Sequence, residues 1–533
     1  MRLQSTTVAE VISRCLTNAR EQTRSWGIER NLESGTNLVT FATGRSLIAL
    51  LVVLTCTVVA SAATVTLSPV NNIQNAVDNS PTGTTFVLRS GTYRGDSITS
   101  LKDGDSFIGQ AGADMNGAKL LTHWTTVSIR GVQYWTTAGG APLYTPPCPS
   151  LSGVCCQPDN PGCLYVQDLY VDNVDYRHVT RLTKVVSGSW YYAFTSGGGA
   201  VRNNIYMLRV DSPTSHTVEL GARNYAFKDT ASNITIKNLT IEKYAAPLES
   251  GAVMPAGSSW LIQNNEFRLN HGWGVKVMKT GNNVQVLSNN LHDNGEGGMG
   301  AGGITGGLFD SNSVVHNNID SVLPGMEAGG AKFSGKNIMI SNNIVHDNDG
   351  VGLHTDAGGT YNTYDHNTSY QNIGNGIRYE ISRYGTITNN VVYGNSTAAE
   401  IAYTGSDHGR ISGNIVTDNG IGGISVYNIV GTRSNTRVKI YRVTDTRVTN
   451  NTIIIANSPN EQAAGLVDAA QPRQPIVFAD PTNIWASNTY NVLTLPWSRK
   501  SWAWGESSGA AAANPVGWVT WLVMHPLDLL QLQ

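Results

Sequence analysis

Lys332, His354, Asp356, Arg378 and Glu380 are five of the few charged side chains in this chain of 533 residues, of which only 14% are charged. Their spacing is regular: Asp356 and Glu380 stand 380 − 356 = 24 residues apart, as do His354 and Arg378 at 378 − 354 = 24. If that step is one turn of a repeating structure, the two carboxylates sit on neighbouring parallel strands with Cα atoms about 5 Å apart. Two carboxyls so close do not ionise easily together, which raises one pKa and leaves an acid beside a carboxylate. A separation of about 5 to 5.5 Å suits a retaining glycosidase, in which one carboxylate attacks the anomeric carbon and the other protonates the leaving oxygen. The bases of the same pattern offer a second chemistry. Lys332, His354 or Arg378 could abstract the C5 proton of a uronate, with calcium the one candidate cofactor and Asp347, Asp349 and Glu327 available to hold it. Glu327 leads into the charged strand and could instead orient Lys332 or a sugar hydroxyl. A non-catalytic alternative is that ion pairs across neighbouring strands merely stabilise a sheet, by roughly 0.2–1 kcal/mol each.

Such a pattern needs a repeating scaffold, and the stretch from about Asn264 to Asn451 supplies one. Gln263-Asn264-Asn265, Ser288-Asn289-Asn290, Ser341-Asn342-Asn343, Asp365-His366-Asn367, Thr388-Asn389-Asn390, Ser412-Gly413-Asn414 and Thr449-Asn450-Asn451 align, with steps of 367 − 343 = 24, 390 − 367 = 23 and 414 − 390 = 24. A fixed period of this length marks a solenoid. Between Asn233 and Ile455 no segment has the i, i+3, i+4 apolar pattern of an amphipathic helix, whereas Asn337-Ile338-Met339-Ile340 and Gly352-Leu353-His354-Thr355 read as strands. Three short strands per turn, Asn at the corners and Gly where the backbone must bend predict an all-β chain, a right-handed parallel β-helix. An inward column is read at Val275, Ile304, Ala331, Leu353, Ile377, Ile401 and Ile424. Alternation then turns Lys276, Thr305, Lys332, His354, Arg378, Ala402 and Ser425 outward, with Ser334, Asp356, Glu380 and Thr404 two residues further on. His292, His316 and His346 recur at one corner, and Asn265, Asn290, Asn343, Asn367 and Asn390 read as ladders that satisfy corner backbone groups.

Through His292-Asp293-Asn294, His346-Asp347-Asn348 and the neighbouring Asn pairs, roughly residues 65 to 500 resemble the pectate-lyase-like β-helix proteins. That resemblance implies the fold but not one activity, since such scaffolds host lyases, hydrolases, epimerases and non-catalytic adhesins. The segment Gly352-Leu353-His354-Thr355-Asp356, followed by Tyr379-Glu380-Ile381-Ser382, resembles β-helical glycosidases, including β-xylosidase-like enzymes. By that resemblance Asp356 is the nucleophile and Glu380 the acid/base, or the reverse; the charged pattern itself puts Glu327, Lys332, His354 and Arg378 around the substrate.

The remaining chain sets the context. Residues 1–63 read as a leader and secretory signal, since an apolar run follows Arg45 and ends in Ala60-Ser61-Ala62. Residues 64–121 read as an N-terminal cap with the first coils, a short helix near Asn71–Val77 closing the end of the core. Residues 122–230, rich in Trp, Tyr and Val, read as an antiparallel β insertion. Its Cys148, Cys155, Cys156 and Cys163 are expected to form two disulfides in an oxidising compartment, by any of three pairings. Residues 231–460 carry the repeats, and 461–533 form a Trp-rich capping segment and tail. A formal charge of −2 argues against a nucleic-acid partner. The expected protein is secreted, periplasmic or on the cell surface, keeps no stable membrane span after processing, and acts on a polysaccharide or oligosaccharide. Hydrolysis is the leading chemistry, lyase or C5-epimerase action the second, and a non-catalytic adhesin the third.

Overall fold

The computed structural model describes residues 63–532, apart from short segments at 146–147, 149–154, 325–327, 397–398, 418–421, 432–438, 456–461, 493–501, 508–512 and 517. The signal region and Glu327 therefore lie outside the described residues, as do Trp497 and the side chain of Trp518.

The repeat is a coil of three short strands. One coil runs through Val351–Thr355, Thr363–Asp365 and Thr368–Tyr370, the next through Ile377–Glu380, Thr386–Thr388 and Val391–Tyr393. Each strand pairs in parallel with its counterpart one coil on, so three ladders run the length of the solenoid. Among the described residues of 233–455 there is no helix. Alternation buries one side of every strand, and Phe86, Phe107, Phe227, Val275, Leu353, Ile377, Tyr403 and Ile424 form part of one continuous apolar core.

The first ladder stacks Val275, Met299, Ala331, Leu353, Ile377, Ile401 and Ile424 in register. This corrects the expected column at one coil, where Met299 and Gly300 stand in place of Ile304 and Thr305. Gly297–Asp310 is a single long strand with an irregularity between Ala301 and Ile304, so Ile304 pairs instead with Gly335. The corner ladder needs a similar correction. The buried series runs Asn265, Asn289, Asn312, Asn343, Asn367, Asn390, Asn414, Asn451 and Asn488, each Nδ2 donating to the next Oδ1 at 2.9–3.1 Å. Asn290 is exposed and outside it. His316 also leaves the expected corner column, in which His292 is followed by Val315, His346 and Tyr370.

The glycines of the first ladder serve close approach more than bending. A Cβ at Gly352 would stand 2.5 Å from Ser369 Oγ and 2.7 Å from Asn372 Nδ2, and one at Gly376 2.7 Å from Asn395 Nδ2. Both residues have ordinary negative φ, so the constraint is the second Asn ladder pressed against the strand from inside.

The ends are closed by apolar side chains. The helix Ile73–Asp78 is capped by Asn72, whose side chain accepts from the Asn75 N–H at 2.7 Å, and it buries Ile73 and Val77. At the other end Trp485, Trp502 and Trp521 are buried with Tyr490, Trp504 packing beside them, and Trp521 Nε1 donates to Asp528 Oδ2 at 2.9 Å. Between the first coils and the repeats lies an eight-stranded sheet built from strands between Ala118 and Gly221. It is antiparallel except where Val174–His178 runs parallel to Ser189–Tyr192. Before this sheet's second half the chain forms the expected two disulfides, Cys148–Cys155 and Cys156–Cys163.

Candidate active site

The first ladder carries the charged pattern. Parallel register places Gly300, Lys332, His354, Arg378 and Ala402 side by side on successive coils. Two positions further along the strands come Asp356 and Glu380, the latter opposite Thr404. The Asp356 N–H donates to the Phe333 carbonyl at 3.1 Å, and the Ile381 N–H to the Thr404 carbonyl at 2.9 Å, so backbone bonds to both flanking coils hold the pair. Behind them Thr355, Tyr379 and Tyr403 face the core, the two tyrosine rings stacked at 5.1 Å and 8°. The residue after each carboxylate is left-handed, Ala357 at φ 56° and Ile381 at φ 50°. For the β-branched Ile381 this costs about 1–3 kcal/mol, and the same conformation recurs at other coil corners such as Asn342, His366 and Asn389.

The side chains converge as the spacing suggested. Lys332 Nζ lies 3.0 Å from Asp356 Oδ2, and Arg378 Nη2 lies 2.8 Å from Glu380 Oε1. His354 Nε2 is 3.4 Å from Glu380 Oε2, longer than a good hydrogen bond. An oxygen of Asp356, an oxygen of Glu380 and a ring nitrogen of His354 all lie within 4.8 Å of one another. Glu380 is 4% exposed, so its carboxyl meets protein groups more than bulk water, while Asp356 is half-buried. His354 was expected on an open outward face, but neighbouring coils cover it. Burial lowers its pKa, opposed by Glu380 and reinforced by Lys332, so the ring is a neutral base near neutral pH.

Lys332, Asp356 and Ser334 also line a groove of about 270 Å³ that continues over Glu249, Lys276, Lys279 and Gly302. Glu249 and Lys279 belong to loops with no repeat signature, so spacing alone does not find them. Lys276, in the outward column, holds its ammonium 4.0 Å above the Trp273 ring. The groove reaches Asp356 but not Glu380, which lies one coil further on.

A metal could in principle use His354, Asp356 and Glu380 together. Lys332 and Arg378 each already pair with one of these two carboxylates. Of the other expected cation ligands, Asp347 accepts from His346 at 2.6 Å and Asp349 accepts from Gln157 at 2.5 Å and Asn318 at 3.4 Å, while Glu327 lies outside the described residues.

The family model described as "Right handed beta helix region" matches residues 305–453. Among solved structures, XylC in complex with xylose is similar at 14% identity and a TM-score of 0.58, over 82% of this chain and 83% of that one. The A-module of mannuronan C-5 epimerase AlgE6 from Azotobacter vinelandii follows at 13% identity and a TM-score of 0.49, over 87% and 96%. DFA-IIIase from Arthrobacter chlorophenolicus A6 aligns at 11% identity and a TM-score of 0.39, over 86% and 91%. No curated protein matches the chain by sequence. At these identities the likeness concerns the fold. With its parallel three-strand coils, this chain is a right-handed parallel β-helix protein.

Proposed function

We propose that the protein is a carbohydrate-active enzyme, a glycoside hydrolase acting with retention of configuration on an oligosaccharide or polysaccharide. The observation that carries this reading is the pair of carboxylates from adjacent coils with oxygens within 4.8 Å. Nearest oxygens that close fit direct attack by one carboxylate, as in retaining pairs at about 5–5.5 Å, better than the gap of about 6.5–9.5 Å across which an inverting pair admits its water. Asp356 lines the groove and so meets the sugar held there, which suits the nucleophile. Glu380, one coil beyond, suits the acid/base on the leaving-group side. In the first step Asp356 attacks the anomeric carbon, the glycosidic bond breaks, and the Glu380 proton passes to the departing oxygen. In the second step Glu380 takes a proton from water, which displaces Asp356. Arg378 and His354 orient Glu380, and Lys332 orients Asp356. XylC, solved with xylose, makes pentosides a sensible first substrate to try. The two disulfides agree with export to an oxidising compartment, and no helix among the described residues is long and apolar enough to cross a membrane.

One observation favours a second reading, uronate lyase or C5-epimerase action: a neutral, buried imidazole lies between Lys332 and Arg378, which resembles a base flanked by carboxylate-neutralising cations. A panel of neutral and acidic glycans separates the two. New reducing ends without the ultraviolet absorbance of a new double bond support hydrolysis. An unsaturated product, or epimerised uronate without chain cleavage, would replace it by the second reading.

A further inference from the structure

A second cluster lies where the inserted sheet meets the coils, remote in sequence from the carboxylate pair. Asp168 precedes the strand Leu169–Val171, Asp175 lies in Val174–His178, His271 in the turn before Trp273–Val277, and Asp320 in the loop after Ser313–Val315. Asp168, His271 and Asp320 are all buried. His271 Nδ1 stands 3.1 Å from Asp168 Oδ2 and 3.0 Å from Asp320 Oδ2.

Hydrogen bonding does not account for this arrangement. The single in-plane N–H available at His271 Nδ1 serves the Asp168 carboxylate, so Asp320 Oδ2 sits 3.0 Å from the same nitrogen and out of line with any donor. The Asp320 side chain is only 6% exposed. Asp175 Oδ1 likewise has no donor, and neither has Oδ1 of Asn160, whose Nδ2 donates to the Asp320 carbonyl at 2.7 Å. Buried acceptors without donors are rare and call for an explanation, an ion or water among the usual ones. Charge leads to the same place. Asp168, Asp175 and Asp320 repel one another, and one imidazole answers all three. Arg177 acts on Asp175 from the same strand, but its guanidinium is half-exposed and bound to Asp159 at 3.1 Å. The backbone is also shaped for the approach: a Cβ at Gly295 would lie 2.0 Å from Asp320 Oδ2 and 2.1 Å from the His271 carbonyl, so only glycine lets the carboxylate reach the ring.

We propose that Asp168, His271 and Asp320, with the Asp175 carboxylate adding its charge nearby and water completing the coordination, bind a small divalent transition cation, zinc in the first instance, that fastens the inserted sheet to the coils. Zinc takes His nitrogen and carboxylate oxygen at about 2.0–2.2 Å in tetrahedral geometry, which puts neighbouring ligand atoms about 3.3 Å apart. The 3.0 and 3.1 Å separations around Nδ1 are close to that. Calcium, which takes six to eight oxygens at about 2.3–2.6 Å, suits a site with a ring nitrogen less well. On binding, Nδ1 gives up its proton to solvent, and the metal takes the proton's place between the carboxylates. The metal thus ties Leu169–Val171 and Val174–His178 to the coils that bear Lys276 and Lys332.

The test is metal analysis and thermal unfolding of the tag-free protein, equilibrated separately with zinc, manganese and calcium and then dialysed against metal-free buffer. About one zinc or manganese ion per chain is expected, with Tm lowered by several degrees on chelation and restored by zinc. Asp175→Asn, which removes the less buried neighbouring charge, keeps a folded protein for comparison and should weaken zinc binding at least about tenfold. Zinc below about a tenth of an equivalent with a Tm indifferent to chelator overturns the proposal. So does a response to calcium alone, or unchanged zinc affinity in folded Asp175→Asn together with Asp320→Asn.

Discussion

Asn289 and Asn290 are adjacent, chemically identical and opposite in consequence. Asn289 is 2% exposed and accepts from both the Asn265 N–H at 2.9 Å and Asn265 Nδ2 at 3.1 Å, while its own Nδ2 donates to the Ile262 carbonyl at 3.0 Å. Replacing it by Ala leaves the Asn265 N–H and the Ile262 carbonyl without these partners inside the solenoid, while Asn265 Nδ2 keeps the Ile236 carbonyl at 3.0 Å. The next rung keeps a donor, because the Asn289 backbone N–H still reaches Asn312 Oδ1 at 2.9 Å. Buried polar groups left unsatisfied cost about 1–3 kcal/mol each, so two give about 2–6 kcal/mol before any water enters the space. Asn289→Ala should therefore destabilise by about 2 kcal/mol or more, even after partial rescue by water. Asn290 is exposed, and its ladder bond to the Asn265 carbonyl at 2.9 Å is made by its backbone, so Asn290→Ala should stay within about 0.5 kcal/mol of the parent. Urea unfolding of the three proteins measures both, with the slope checked for constancy. Equal midpoints for the two variants would refute the ladder's energetic role and the register corrected above.

Two further outcomes are expected. The mature protein unfolded without reductant should show no reactive thiol at Cys148, Cys155, Cys156 or Cys163, whereas four titratable thiols would dissolve both bridges. His178 is buried among Tyr165, Trp190 and Phe194, and burial pushes its pKa from the ordinary value near 6.5 down to about 3. The unfolded chain then binds the extra proton first, so stability is retained above about pH 6.5 and lost as pH falls toward 3. Relative to His178→Phe, which cannot titrate, the parent should lose about 2 kcal/mol by pH 5. Parallel pH profiles would show the ring to be solvated.

Much of this was legible in the sequence because a solenoid repeats its constraints. The 24-residue step from Asp356 to Glu380 carried the site onto one face, since parallel register preserves both spacing and side. Where the register slipped, a local cause is visible. Gly297-Gly298-Met299-Gly300 offers Met299 as its one bulky side chain, and the strand irregularity after Ala301 adds residues, so Ile304 imitated the missing core position. Asn289 and Asn290 are indistinguishable by type, and only burial tells which belongs to the ladder. Burial of His354 was also hidden, because alternation gives direction without telling how closely neighbouring coils cover an outward residue. The cluster of Asp168, His271 and Asp320 has no period at all. It forms where an insertion folds back on the coils, with Asp168 103 residues from His271, and no local pattern encodes that contact.

In the proposed mechanism Asp356 attacks the sugar while Glu380 serves the leaving group. Its most direct test is to treat the protein with activated 2-deoxy-2-fluoro glycosides of the sugar identified by the glycan panel and to locate the adduct by peptide mass spectrometry. One stoichiometric adduct on Asp356 is expected, and no adduct or turnover in folded Asp356→Ala. An adduct on Glu380 would reverse the roles, and undiminished hydrolysis by Asp356→Ala would contradict the pair altogether.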